Sequence, residues 1–238
     1  MSPIFPLPGE DLLELGMRCN AVYVCPKVGS QRKGPLVAYA GKDRHGRNLV
    51  GDIYFNFRRI EVHPKVVMAF AEVVCRKLDR LGLLNTFDTV CGIPQGGRTF
   101  GQMLALVASK RFAYADKKPK PTEAGRKQEY TWDLSQFELE QGERVAVAED
   151  VFNNFQNTDH TLAEIGATGA KVTLLVGALN RSPVYDVTYK SLPVIASIRE
   201  AYPEYEQDDP AVAADIAAGR LELEVKKNWE RLCATMRQ

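Results

Sequence analysis

Two adjacent carboxylates, Glu149 and Asp150, follow four small apolar residues, Val145-Ala-Val-Ala148. Such a run reads as a short buried strand of a parallel sheet. After the acids come Val151-Phe-Asn-Asn-Phe-Gln-Asn157 and then Thr158 to Ile165, which reads as the start of a helix. In open α/β sheets the ligand crevice lies outside the carboxyl ends of the strands. A loop entering a helix there offers free N–H groups and the positive end of a dipole to an anion. Asn153, Asn154, Gln156, Asn157 and Thr158 would line that loop. The strand, the acid pair, the loop and the helix are together a candidate site for a phosphorylated ligand.

A second stretch has the same physical logic. Thr89-Val-Cys-Gly-Ile-Pro94 is a short apolar strand, Gln95-Gly96-Gly97-Arg98 a tight turn, and Thr99 to Ser109 a helix. A glycine turn between strand and helix brings backbone N–H groups close to an oxyanion, and Arg98 could add a positive charge. Further on, Arg111–Ala115 reads as a strand and 116–128 as a basic, Pro- and Gly-bearing loop carrying Lys117, Lys118 and Lys120. Lys171–Leu179 reads as another buried strand, ending in Asn180-Arg181-Ser182-Pro183. The planar guanidinium of Arg181 suits bidentate recognition of a carboxylate. An exposed charge at a strand end is the alternative.

The elements that must hold these residues alternate as strand and helix from Thr89 to Ser197. That alternation implies an α/β fold with a central, mainly parallel sheet and helices on both faces. The strands at 89–93, 145–148 and 172–179 should be neighbours, with Leu192–Ser197 as the last. His63-Pro64 opens a helix whose apolar spacing, Val66, Val67, Phe70, Val73, Val74 and Leu78, runs to about Leu81. Residues 1–60 read as a small α+β cap, with a helix over Asp11–Cys19, strands at Ala21–Cys25 and Leu36–Ala40, and a polar hairpin tip at Gly41–Arg47 holding Lys42. Residues 61–197 form the core, and 198–238 a mostly helical tail.

Composition narrows the function classes. The 238 residues carry 31 Lys+Arg against 30 Asp+Glu, a net charge of +1, which argues against a strongly basic nucleic-acid binder. The five cysteines are scattered and odd in number, as for free thiols in a reducing cytoplasm. No apolar run approaches the length of a membrane span, and no signal-peptide pattern opens the sequence.

The 145–170 stretch resembles the signature of the type I phosphoribosyltransferases, which bind phosphoribosyl diphosphate (PRPP): an apolar strand, two acids, a phosphate loop and a helix. Glu149 and Asp150 fall on the acid pair, Leu162 and Ile165 on helix core positions, and Gly169-Ala170 on the turn after it. The loop departs from the pattern. The family usually has Thr-Thr-Gly-Gly-Ser/Thr there, and this chain has Asn153-Asn154-Phe155-Gln156-Asn157. Gln95, Gly96, Gly97 and Arg98 look like the family's pyrophosphate loop. Within the family, Tyr54-Phe55-Asn56-Phe57-Arg58 is similar to a strand of the orotate branch. Lys117 and Lys118 take the place of lysines on its catalytic lid, which in that branch reaches into a neighbouring subunit. Arg181 and Lys42 fall where that branch holds the base.

The resemblance implies transfer of a 5-phosphoribosyl group from PRPP to a pyrimidine-type base such as orotate, with release of pyrophosphate. It also implies Mg²⁺ held at Asp150 through water or ribose hydroxyls, Glu149, Asp150, Lys117 and Lys118 as catalytic groups, and a homodimer. Two other readings stay open. One is an enzyme of the same fold acting on a different diphosphate-bearing substrate. The other is a non-catalytic binding or regulatory protein.

Overall fold

The computed structural model of the protein describes residues 4–119 and 130–237. The chain divides into two compact units, Met1–Pro8 with Glu61–Glu200, and Gly9–Ile60 with Ala201–Gln238.

The first unit is built on helix α1 (Pro64–Arg80), β1 (Thr89–Gly92), α2 (Gly96–Ala108), β2 (Arg111–Tyr114), β3 (Arg144–Phe152), α3 (Gln156–Ala167), β4 (Lys171–Asn180), β5 (Thr188–Tyr189) and β6 (Leu192–Arg199). Its sheet has the order β5-β6-β4-β3-β1-β2. Every pairing is parallel except that of the short edge strand β5 with β6. The three strands expected as neighbours are adjacent, in the order β4-β3-β1. Their interiors are apolar throughout, as parallel strands covered on both faces require. Val145, Val147, Leu175 and Cys91 pack with Ile165 of α3 and with Trp132 and Leu134. On the opposite face α2 lies close enough that a Cβ on Gly101 would sit 3.1 Å from the Ala148 Cβ. Helices therefore cover both faces.

α1 starts at Pro64, whose fixed φ suits the first helical position. It buries Val66, Val67, Phe70, Ala71, Val74 and Leu78 along one stripe. α2 ends on Ser109 in the left-handed conformation. An antiparallel pair, Asp116–Pro119 with Tyr130–Asp133, stands between β2 and β3.

In the second unit, Leu12–Arg18 is helical, with the Asp11 carboxylate accepting from the Leu13 and Glu14 N–H groups. Leu36–Lys42 and Asn48–Gly51 form the expected hairpin. Leu221–Glu222 adds to it in parallel beside Leu36–Val37. Tyr23, Tyr39, Val225, Trp229 and Leu232 share one core, and the Trp229 indole donates to the Asn20 carbonyl at 2.8 Å. The sequence reading set 1–60 and 198–238 apart as cap and tail. In the structure the two pack into one unit, and residues 198–200 belong with the sheet unit.

Two boundaries also differ from expectation. β3 runs on through the acid pair to Phe152, because β4 keeps pairing with it as far as Phe152–Asn180. α2 begins at Gly96, not Thr99. All five cysteines are free thiols, four of them buried. Among the described residues no helix is long and apolar enough to cross a membrane.

Candidate active site

Parallel pairing brings the carboxyl ends of β1 and β3 side by side, with Ala148 opposite Gly92. The glycine turn after β1 thereby meets the acids at the end of β3. A Cβ on Gly96 would lie 2.2 Å from Asp150 Oδ2, and one on Gly97 would lie 2.2 Å from the Ala148 carbonyl oxygen. Only hydrogen fits at either position. The Pro94–Gln95 peptide just before them is cis. Gln95 is the N-cap residue of α2, and Gly96 in its first turn lies against the Asp150 carboxylate.

The two acids differ. Glu149 is buried, and its Oε1 accepts from the Asp150 N–H at 3.2 Å. Burial, and then the negative charge of Asp150, pushes the Glu149 carboxyl well above its ordinary range. Asp150 is half-buried, and its Oδ1 accepts from the Val151 N–H at 2.9 Å. Asp150 is thus a half-buried acceptor beside the glycine turn, and Glu149 is a buried carboxyl next to it.

The Asn-bearing segment does not stay a loop throughout. α3 begins at Gln156, so Gln156, Asn157 and Thr158 form its first turn, with Thr158 buried. The Asn154 side chain accepts from the Gln156 N–H at 3.2 Å, and Asn153 Oδ1 is buried without a hydrogen-bond partner. Phe155 takes a left-handed conformation with φ 58° at the N-cap. Its ring is buried, stacked on Phe152 at 4.7 Å and Tyr189 at 4.3 Å, with Tyr185 edge-on at 5.3 Å. An aromatic anchor therefore fixes the backbone where glycine was expected. Asp159, also in the first turn, accepts from the Tyr189 hydroxyl at 2.9 Å and from Lys190 at 2.7 Å.

The cations are held more tightly than the sequence suggested. Arg98 pairs with Asp116, donates to the Ala115 carbonyl at 3.2 Å and lies over the Tyr114 ring at 4.1 Å, so it already has an acid partner. Lys118 pairs with Asp133, which holds the ammonium above its usual pKa. Lys117 lies in the Asp116–Pro119 strand opposite Trp132, and Lys120 lies outside the described residues. Arg181 is buried rather than exposed, and its backbone N–H donates to the Phe152 carbonyl at 3.0 Å, directly past the acid-bearing strand. Next to it, the Asn180 amide donates to the Tyr185 and Asp186 carbonyls at 2.9 and 3.0 Å, shaping the turn that carries Arg181. Lys42 belongs to the other unit and donates to Asn48 Oδ1 at 3.0 Å. Sequence reasoning missed the Phe152–Phe155–Tyr185–Tyr189 cluster. Its members have no fixed spacing, and only their common aromatic character gave a signal.

No model of a known protein family matches the chain. Two curated proteins do. The orotate phosphoribosyltransferase of a Nitratiruptor species is 26% identical over 153 residues, 64% of this chain and 67% of that protein. The orotate phosphoribosyltransferase of Wolinella succinogenes is 25% identical over 130 residues, 55% of this chain and 58% of that protein. Among solved structures, orotate phosphoribosyltransferase from Aeropyrum pernix superposes with a TM-score of 0.50 at 16% identity, covering 79% of this chain and 93% of that one. The chain is a relative of the type I phosphoribosyltransferases. An adenine phosphoribosyltransferase also superposes, with a TM-score of 0.51 at 15% identity over 78% of this chain and 98% of that one. At these identities the solved structures show the phosphoribosyltransferase fold alone. Both relatives found by sequence are phosphoribosyltransferases.

Proposed function

We propose that the chain transfers a 5-phosphoribosyl group from PRPP to a ring nitrogen of a pyrimidine-type base of the orotate kind, releasing pyrophosphate. The observation that carries this reading is the approach of the glycine turn to Asp150, so close that no side chain fits between them. One compact crevice then offers backbone N–H groups to pyrophosphate oxygens and a carboxylate to ribose hydroxyls. Gly96 and Gly97 hold the leaving diphosphate with the first turn of α2 behind it. Asp150 accepts from the sugar hydroxyls and favours positive charge on the anomeric carbon. Burial and the neighbouring Asp150 charge favour the neutral form of Glu149, which keeps it beside Asp150 as a supporting group. Arg181 reads the acidic edge of the base, Lys117 and Lys118 close over the diphosphate, and two copies of the chain form the working enzyme.

Asp150 is a hard oxygen donor at the diphosphate turn, which suits Mg²⁺ carried mainly on substrate oxygens and water. The ion would neutralise charge on the departing diphosphate.

A second reading, an enzyme of this fold using another diphosphate-bearing substrate, is favoured by Phe155. Its buried ring replaces a phosphate-loop glycine, and the Gln156 N–H is already taken by Asn154. Calorimetry with PRPP, pyrophosphate and ribose 5-phosphate, each with Mg²⁺, separates the two readings, together with a base panel scored by pyrophosphate release. The first reading expects PRPP to bind and orotate to release pyrophosphate. Pyrophosphate binding without PRPP binding would give the site to the second.

A further inference from the structure

A cleft of about 370 Å³ opens between the last turn of α1 and strand β6, and neither Glu149 nor Asp150 lines it. Leu81, Val187, Val194, Ile195 and Ala196 make its walls largely apolar. Lys77, Arg80 and Arg199 bring three cations to it, and Asp186 one carboxylate. Asp186 is paired with Arg199. Lys77 and Arg80 have no carboxylate within ion-pair distance among the described residues.

Lys77 is the informative group. Its half-buried ammonium donates to the Ala196 and Ser197 carbonyls at 2.7 and 2.9 Å, covering the open edge of β6. Burial first, and then Arg80, lowers its pKa. An ammonium has three hydrogens to give, so one remains after the two carbonyls. A helix C-terminus accounts for cations in its last turn, but it gives this half-buried charge no anion. Apolar walls with a few convergent charged groups are the features of a small-molecule site.

We propose that this cleft binds a small amphipathic organic anion, with its acid group on Lys77 and Arg80 and its apolar body against Val187, Val194 and Ile195. Such a ligand would also touch Asn180, whose amide shapes the turn bearing Arg181. The proposal does not depend on the transferase reading.

The test uses two fluorescent probes with one apolar body, anionic 1-anilinonaphthalene-8-sulfonate and neutral N-phenyl-1-naphthylamine, titrated into the full chain. The sulfonate should bind saturably, one per chain, and about tenfold more tightly than the neutral probe, as one charge-assisted hydrogen bond would give. Lys77→Met and Arg80→Gln should each remove most of that preference while leaving neutral-probe binding unchanged. Arg80→Gln keeps the proposal testable if Lys77→Met unfolds, since among the described residues Arg80 donates only to the Arg76 carbonyl on its own helix. Equal binding of both probes, no effect of Arg80→Gln, or a cleft closed to probes because a second copy covers it, would each overturn the proposal.

Discussion

The sharpest consequence of the site geometry is what one methyl group does at Gly96. An alanine Cβ there would meet Asp150 Oδ2, Cγ and Oδ1 at 2.2, 2.3 and 2.5 Å, where ordinary contact begins at 3.4 Å. Relief requires the carboxylate or the turn to move from 2.2 to about 3.4 Å, roughly 1.2 Å, and a 1 Å misplacement of a reacting group costs on the order of 10²-fold in rate. Gly96→Ala should therefore lower kcat/KM for pyrophosphate release by about 10²-fold or more. Overpacking should remove about 1–3 kcal/mol of stability, or about 2–12 °C in Tm for a chain of this size. Gly166→Ala is the matched control. That glycine lies inside α3 with nothing within 4 Å of an added Cβ, so alanine there should stabilise by about 0.5–1 kcal/mol through helix propensity and leave kinetics unchanged. If activity is too low to follow, calorimetric binding of Mg²⁺-pyrophosphate is the readout. A Gly96→Ala protein that binds and turns over within threefold of the parent would show that the turn and Asp150 do not share a substrate, and the reasoning would fail.

Glu149 gives a pH signature. Its folded pKa lies above the ordinary 4.5, so the neutral form is favoured by folding, and stability falls as pH rises from about 4.5 through the folded value, by at most about 1.4 kcal/mol per pH unit. Urea unfolding of Glu149→Gln against the parent should show little difference near pH 4 and a relative gain for the variant at pH 7–8; parallel pH curves would contradict the assignment. Phe155→Ala should cost about 3–4 kcal/mol through lost burial and stacking. Phe155→Gly should cost about 1 kcal/mol less than alanine, because glycine adopts the left-handed backbone freely; denaturation midpoints of the pair decide it. Arg181→Ala should reduce kcat/KM for orotate by about 30- to 1000-fold, the effect of losing a buried charged contact, while Mg²⁺-pyrophosphate affinity stays unchanged.

The central sheet was legible because each strand carries a continuous apolar run and each helix a regular stripe. The acid pair and the glycine turn were legible too, since both sit where strands end. Their contact was not, because it depends on the β1–β3 register, which neither segment encodes alone. The basic residues were visible in sequence, but their partners were not. Lys118 meets Asp133 only through the hairpin pairing, and Arg98 meets Asp116 only where the chain leaves β2. Phe155 read as a lost glycine. Its buried place depends on Tyr185 and Tyr189, which reach it from the far side of β4 in sequence. The pairing of Leu221 with Leu36 has no local signal at all, and so the two chain ends looked separate.

That pairing bears on synthesis. Asn20 and Trp229, 209 residues apart in sequence, are partners in the second unit. At the roughly 5–20 residues per second of a working ribosome, about 10–40 s separate their appearance. Throughout that interval Tyr23 and Tyr39 lack the Val225, Trp229 and Leu232 side chains that complete their core, while Glu61–Glu200 of the sheet unit emerges between them. The core of the second unit therefore closes only after residues 225–232 have been made, long after Tyr23 and Tyr39.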